Sequence, residues 1–534
     1  MNAQNASEVR TKKSEEFVNT FNEPKQLRTT HCELPTPTLL WTACAYRKAI
    51  AHYLNLIIPR GSSLLEIGCG SGVLLQLLQG VNKMGIDPDV KAVTAAALLN
   101  PEAELFVARG EEFVPSLTPD VIVLSDTLNH VDDVQAVLEK VHSYAQSSTR
   151  LVTTCYNTLW RPALALATLF RLKAPQPPIN WLSRHDLENL LELSDWEIIR
   201  EESRILCPLE IPFLSTLLNR WIAPLVPCFC LAIILIARPR SSGRMTLNDR
   251  ALSKLASADE VQGVDGAEKF EWQELLDASS TGATQQFAAE VEFSKRSSVS
   301  VIIPARNESG NIAAAVARTP AMGLWTELIF IEGNSTDDTW AVIQQVKVAH
   351  PECRIKIAQQ PGRGKGDAVR TGYAMAEGDI LMILDADLTV PPEDLPKFYQ
   401  AVANGSCEFA NGSRLVYPME KKAMQFLNLC ANKFFGIAFS WLLGQQVKDT
   451  LCGTKVLTRE NYLKIAANRS YFGNFDPFGD FDLLFGASKL NLKIRDIPVR
   501  YRERTYGETN ISRWSHGALL FRMLGFAARK LKFV

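Results

Sequence analysis

Short apolar runs alternate with helical patterns twice along this chain, and that alternation limits the fold before any single residue is considered. In residues 36–240 the runs are LLEIG, KMGID, DVIVLS, RLVTTCY and CLAIILIA. From Ser298 they are SVSVIIP, ELIFIE, RIKIAQ, DILMILDAD and CEFANGS. Strands spaced by helices build a mostly parallel sheet with helices on its faces, so each stretch is expected to be an α/β domain. Residues 241–297 between them are polar, rich in Ser, Ala, Gly and acidic side chains, and weakly periodic. They read as a linker with one or two short helices. Residues 1–35 read as a flexible tail. The expected layout is tail 1–35, first domain 36–240, linker 241–297 and second domain 298–534, with no internal repeat.

The net charge of -1 supplies no global basic field, so a nucleic-acid partner is not expected. The eleven cysteines form no CxxC pair, and Cys228 and Cys230 fall inside an apolar run. That usage fits a reduced cytoplasmic compartment better than a disulfide scaffold. The start, MNAQNASEVRTKKSEEF, has no apolar stretch of the kind a signal peptide needs. The strongest candidate for a membrane span, WIAPLVPCFCLAIILIA at 221–237, is broken by Pro224 and Pro227. Its second half suits a buried strand and falls short of the roughly 20 apolar residues of a span.

SSLLEIGCGSGVLLQLL reads as strand, glycine turn and helix. Gly68, Gly70 and Gly72 let the backbone turn sharply and approach a ligand, and the helix from Val73 aims its first N–H groups at it. A dinucleotide fingerprint would need glycine where Val73 stands, so the pattern is E-x-G-x-G-x-G starting at Glu66. The next strand, KMGIDPD, ends on Asp87, whose carboxylate can accept both hydroxyls of a ribose. These motifs, with VLSDTLNHVDDVQAVLEKV, resemble the class I S-adenosylmethionine-dependent methyltransferases over roughly residues 50–238. The resemblance implies a Rossmann-like fold and S-adenosyl-L-methionine as cofactor. Glu66, Gly68, Gly70, Gly72 and Asp87 would hold it. His130 and Asp126 lie where the family meets its methyl acceptor; His130 is the candidate base, with a structural histidine as the other reading.

LMILDADLTV poses a different problem. A buried strand that runs into Asp385 and Asp387 needs a cation, because burying a carboxylate without one costs several kcal/mol. With period two, both carboxylates are expected on one side of the strand end. SVSVIIPARNESGNIAAAV, ELIFIEGNSTDDTW, GRGKGDAVRTGYAMAEGD and LMILDADLTVPPEDL follow in an order that resembles the family 2, GT-A-fold inverting glycosyltransferases, over about residues 298–510. The resemblance implies a nucleotide-sugar donor and Mg2+ or Mn2+ held by Asp385 and Asp387. Pro304, Asn307, Glu308, Glu332 and Lys365 would lie around the donor, with Ser335 and Asp337 capping the next helix and Lys365 in a flexible loop. Where the family usually has two aspartates this chain has Glu332-Gly333, so uracil and guanine both remain open as the nucleobase.

FANGSRLV contributes Arg414, a further residue expected at the donor, and KDTLCGTKVL contributes Asp449, Cys452, Gly453 and Lys455. The latter resembles the D-T-x-C-G-x-K segment of polyprenyl-phosphate glucosyl- and mannosyltransferases. Asp449 is the candidate base for a hydroxyl acceptor; a phosphate acceptor, already anionic, would leave it structural. Asp480 and Asp482 match an acidic acceptor-side motif. Arg504, in VRYRERTYGETNISRW, is the expected diphosphate ligand, with Arg500 and Arg502 as solvated neighbours. The amphipathic basic end, GALLFRMLGFAARKLKFV, either packs on the domain or makes peripheral contact at the inner face of the cytoplasmic membrane.

Together these features lead to the expectation of a bifunctional enzyme in glycan or glycolipid biosynthesis. One half would transfer a hexose from a UDP- or GDP-linked donor to a glycan or polyprenyl-phosphate acceptor. The other would transfer a methyl group from S-adenosyl-L-methionine. The alternative keeps the glycosyltransferase and makes the first domain a non-catalytic module that binds the cofactor or docks a partner.

Overall fold

The computed structural model describes residues 37–169, 180–209, 211–240, 297–415, 426–469, 480–502, 504, 506 and 513–534. The expected tail and linker, and the GETN part of the last motif, lie outside the described residues. Two seven-stranded sheets account for the two alternating stretches. The first holds β1 (Ser63–Ile67), β2 (Val81–Asp87), β3 (Glu104–Val107), β4 (Val121–Ser125), β5 (Arg150–Tyr156), β6 (Trp196–Arg204) and β7 (Ala232–Pro239). Its order is β3-β2-β1-β4-β5-β7-β6, with β7 antiparallel to both neighbours. CLAIILIA is indeed a strand: every residue of β7 is buried. No helix among the described residues is long and apolar enough to cross a membrane.

The second sheet holds β8 (Val299–Ala305), β9 (Thr326–Glu332), β10 (Arg354–Gln359), β11 (Ile380–Ile383), β12 (Phe409–Ser413), β13 (Lys455–Thr458) and β14 (Ile494–Pro498). Its order is β10-β9-β8-β11-β13-β12-β14, with β13 antiparallel to β11 and β12. Parallel strands bury both faces and so read as continuous Val, Ile and Leu, as β8 and β11 do. In each sheet the first strand is flanked by the second and the fourth of its set, β2 and β4 around β1, β9 and β11 around β8. The chain reverses direction of winding there, which opens a crevice at the strands' carboxyl ends. Both glycine loops and both sets of carboxylates converge on these crevices.

The sheets also meet through a buried ionic seam. Edge strand β6 presents Glu202, whose carboxylate takes Arg204 Nη2 at 2.7 Å and Lys532 Nζ at 3.1 Å, with Arg200 alongside. Burial would raise this acid, but the three cations hold it well below the usual carboxylate range. Arg150 of β5 reaches Glu408 at 2.5 Å and the carbonyl of Asn491 at 3.0 Å. Arg238 of β7 donates to the carbonyl of Gly405 and to Glu197, and Glu197 also pairs with Arg495. A charge buried in such a seam is tolerated only while its partners stay in place.

Candidate functional site

In the first crevice the chain leaves β1 through Gly68 (φ 74°) and Gly72 (φ 73°), a left-handed backbone that only glycine adopts freely. A Cβ on Gly72 would lie 2.5 Å from Asn100 Nδ2, and one on Gly68 would lie 2.7 Å from Thr127, so the loop is packed from behind. Gly70 (φ 52°) meets nothing within 4 Å and faces open space. The helix Val73–Leu77 follows directly, as expected. Asp87 ties the loop to β2: its Oδ2 accepts the Gly70 N–H at 2.8 Å and its Oδ1 the Asp89 N–H at 2.9 Å. Each oxygen keeps a further lone pair for a hydroxyl.

Glu66 is 2% exposed, and its Oε2 has no hydrogen-bond partner among the described residues. Burial pushes its carboxyl up to about 8, against the pull of Arg47. A buried carboxylate without a donor fits a cationic or N–H-bearing ligand at the loop. Asp126, at φ 59° after β4, accepts Tyr46 Oη at 3.1 Å and Thr154 Oγ1 at 3.0 Å. Burial lifts it to about 6, opposed by hydrogen bonds from Thr154, Tyr46 and Tyr156. Sequence reasoning missed Tyr46, Thr154 and Tyr156, which come from two places in the chain, ahead of β1 and on β5, and carry no motif. His130 is exposed at the end of the turn Thr127–Asn129.

In the second crevice one expectation needs correction. β11 stops at Ile383, so Asp385 and Asp387 stand in the turn that follows, with Leu388 at φ 52°. They are not stacked on one face of a strand; each carboxylate finds its own cation. Asp385 Oδ1 meets Lys365 Nζ at 2.7 Å, and Asp387 Oδ2 meets Arg504 Nη2 at 2.6 Å. Burial works to raise Asp385, but Lys365, then Lys455 and Arg414, hold it below the usual carboxylate range. A Cβ on Gly453 would collide with both Asp385 and Lys365, so the backbone of the KDTLCGTKVL segment closes directly over this pair. Lys365 is the first residue of the helix Lys365–Met375 and not part of a loop.

Arg504 also reaches Glu308 at 3.2 Å, linking β8's exit loop to the Asp387 turn. Asn307 (φ 56°) accepts the Thr336 N–H, while Ser335 accepts the Asn307 N–H. Ser335 therefore ties two loops, and Asp337 alone meets the start of the helix Thr339–Ala349, through the Thr339 N–H at 3.1 Å. Pro304 is part of β8 beside this loop. Glu332 is 2% exposed and accepts the Ser335 N–H at 2.5 Å and Gln359 at 3.3 Å.

Asp449 is fully buried and gripped by Arg414, whose backbone N, Nε and Nη2 donate at 3.0, 2.7 and 2.9 Å. The Leu451 N–H adds a fourth bond at 3.1 Å. Asp482 pairs with Arg469 at 2.8 Å in a cavity that Gly366 also lines; Arg500 and Arg502 are exposed. A pair of carboxylates suits Mg2+ or Mn2+, which take few protein oxygens and complete their shell with phosphate and water; Glu308, which feels both aspartates, is the next acid. Among the described residues the one three-ligand cluster is His350, Glu352 and Cys353 at the surface, far in sequence from the turn.

Two family models match the chain, one on each sheet. A methyltransferase domain matches residues 41–201, and glycosyl transferase family 2 matches residues 300–463. A dolichol-phosphate mannosyltransferase of Pyrococcus furiosus is 38% identical over 120 residues, 22% of this chain and 33% of that protein. The glycosyltransferase AglJ of Haloferax volcanii is 27% identical over 42% of this chain and 69% of its own length. An undecaprenyl-phosphate 4-deoxy-4-formamido-L-arabinose transferase of Klebsiella pneumoniae is 29% identical over 40% and 62%. The chain thus spans from one third to about two thirds of these relatives. Among solved structures, a SAM-dependent methyltransferase of Thermotoga maritima aligns at 13% identity, covering 37% of this chain and 92% of that one, with a TM-score of 0.29. Glucosyl-3-phosphoglycerate synthase of Mycobacterium tuberculosis aligns at 20% identity, covering 44% and 80%, with a TM-score of 0.32. The chain is a two-domain α/β protein in which a methyltransferase-domain family model matches the first domain and the glycosyl transferase family 2 model matches the second.

Proposed function

We propose that the second domain transfers a hexose, with inversion, from a nucleotide diphosphate sugar to a polyprenyl phosphate, and that the first domain transfers a methyl group from S-adenosyl-L-methionine. The observation that carries the first part is the pairing of Asp385 with Lys365 and of Asp387 with Arg504. Two acids and two cations converge at one crevice, a charge pattern suited to a diphosphate and a divalent ion together. Mg2+ or Mn2+, when bound at Asp385 and Asp387, would neutralise charge on the departing diphosphate. Lys365 and Arg504 then supply the remaining positive charge, and Glu308 keeps Arg504 aimed at the turn. Asn307, Pro304 and Glu332 would frame the nucleoside.

The acceptor follows from Asp449. A carboxylate that already accepts four hydrogen bonds is poorly placed to take a proton from a hydroxyl. Its role is to hold Arg414, and an Arg414 so held suits an acceptor that arrives as an anion. The polyprenyl-phosphate names of the relatives point the same way. In the first domain, Gly68, Gly70, Gly72, Glu66 and Asp87 would hold the cofactor, whose methyl group is the chemistry it supplies. Asp126, raised to about 6 and set among Tyr46, Thr154 and Tyr156, is the better-supported base for an acceptor proton; His130 stands exposed nearby in sequence.

The test is a transfer assay with UDP- and GDP-hexoses, Mn2+ and a polyprenyl phosphate. Glycosyl-lipid product that depends on metal and on Asp387 supports the reading. Transfer to a soluble sugar hydroxyl alone would return Asp449 to the role of base.

A further inference from the structure

Four segments outside the two crevices share an unusual composition and lie side by side. They are residues 158–169, 211–231, 433–443 and 518–534. None contains Asp or Glu, although the chain has 58 of these among 534 residues, and together they carry Arg161, Arg220, Lys433, Arg522, Arg529, Lys530 and Lys532. Glu210, just ahead of the second, lies outside the described residues. Among the described residues they also hold half of the large apolar side chains that face solvent. Phe213 is 85% exposed, Leu169 and Ile437 74%, Leu225 64% and Phe521 56%. Isolated exposed apolar residues are ordinary, whereas a contiguous group rimmed by one sign of charge marks an interaction surface.

The contacts make the group contiguous across both domains. Trp160 donates to the carbonyl of Phe229 at 2.8 Å, joining the first segment to the second. Trp221 stacks on Phe533 with ring centroids 5.3 Å apart, and Phe533 lies 6.0 Å from Trp441, whose indole N–H reaches the carbonyl of Pro224. On the helix Phe426–Leu443, Phe434 lies 5.7 Å from Phe521 of the helix Arg513–Leu531. Arg161, Lys433, Arg522 and Arg529 are exposed among these residues.

We infer that this face, built by the methyltransferase and glycosyltransferase domains together, seats the protein on an anionic lipid bilayer. A soluble acidic protein would meet the charges but has no stated need for so many exposed Leu and Phe side chains. A lipid interface takes both at once, since apolar side chains enter the acyl boundary and Arg and Lys stay at the headgroups. No membrane-crossing helix is required, and none is present among the described residues. The inference stands on the surface alone and survives whether or not the donor site is read correctly.

The test uses the full chain with vesicles of phosphatidylcholine alone, or containing about one third phosphatidylglycerol. Cosedimentation is expected with the anionic vesicles, weakening as salt rises and absent from the neutral ones. Two variants probe the two domains separately: Phe213→Asp with Leu225→Asp, and Phe521→Asp with Arg522→Glu. Each is expected to weaken vesicle binding by roughly tenfold or more, while circular dichroism stays unchanged. If a double variant fails to fold, brominated lipids are used on the native chain, and quenching that drops in Trp221→Phe is the expected result. Equal binding to neutral vesicles, no binding, no Trp221-dependent quenching, or loss only in the second variant would each overturn a shared anionic-lipid face.

Discussion

Both crevices place acidic side chains where parallel strands end, yet the two sets are in opposite electrostatic states. In the first, burial outweighs the pull of Arg47 on Glu66 and Asp126 and lifts them to about 8 and about 6. Asp385 in the second is held low by Lys365, and Asp387 is bridged to Arg504. The first site gains most from a ligand that brings positive charge or N–H donors with it. The second already has both aspartates paired with cations, a pattern suited to an ion and an anion together. One fold principle, a crevice at a winding reversal, is thus turned to two chemistries by whether basic residues follow the acids.

The contrast can be broken most forcefully at the second site. Asp387→Ala is expected to lower sugar transfer by about a thousandfold or more, leaving S-adenosylhomocysteine binding unchanged, as read by product formation and calorimetry. At the first site, Gly70→Asp adds a charged side chain at φ 52° in the loop's open mouth. Cofactor binding should fall by roughly a hundredfold, with sugar transfer retained. If both activities disappear in either variant, the two crevices are coupled and the contrast is not one between separate sites.

The seam between the sheets sharpens that question. Glu202→Ala leaves Arg200, Arg204 and Lys532 facing one another in a buried setting, a loss of about 3–5 kcal/mol. Thermal unfolding is then expected to split into two transitions, against a single one expected for the native chain.

The smallest effect concerns pH. The folded Glu66 holds its proton up to about pH 8, while the unfolded chain releases it near pH 4.5. Between those values the folded state binds the extra proton, so this residue makes stability fall as pH rises, by up to about 1.4 kcal/mol per unit. Glu66→Gln should flatten the decline in melting temperature of the first domain between pH 5.5 and 8.

The strands that frame both crevices were legible because they are buried on both faces and read as unbroken apolar runs. β3, β6, β13 and β14 were not singled out: β3 and β6 are edge strands with mixed polarity, and β13 and β14 are short. The glycine loop and the Asp385–Asp387 pair announced themselves through spacing. Lys365 and Arg504 were named for the donor but not as the ion-pair partners of these acids, since Arg504 is 117 residues from Asp387; Tyr46, 80 residues from Asp126, carries no motif at all. The placement of Asp385 on a strand face failed because β11 ends at Ile383, two residues before it. The seam was invisible for the same reason of distance, since Lys532 meets Glu202 across 330 residues.

The most direct measurement is a calorimetric titration of UDP and GDP into the full chain, each with and without Mn2+, repeated on Asp387→Asn. Paired acids and cations at the second crevice call for one nucleotide to bind only when Mn2+ is present, and for Asp387→Asn to abolish it while S-adenosylhomocysteine still binds. Binding of neither nucleotide, or binding indifferent to both Mn2+ and Asp387, would contradict the assignment of this crevice to a metal-bound diphosphate.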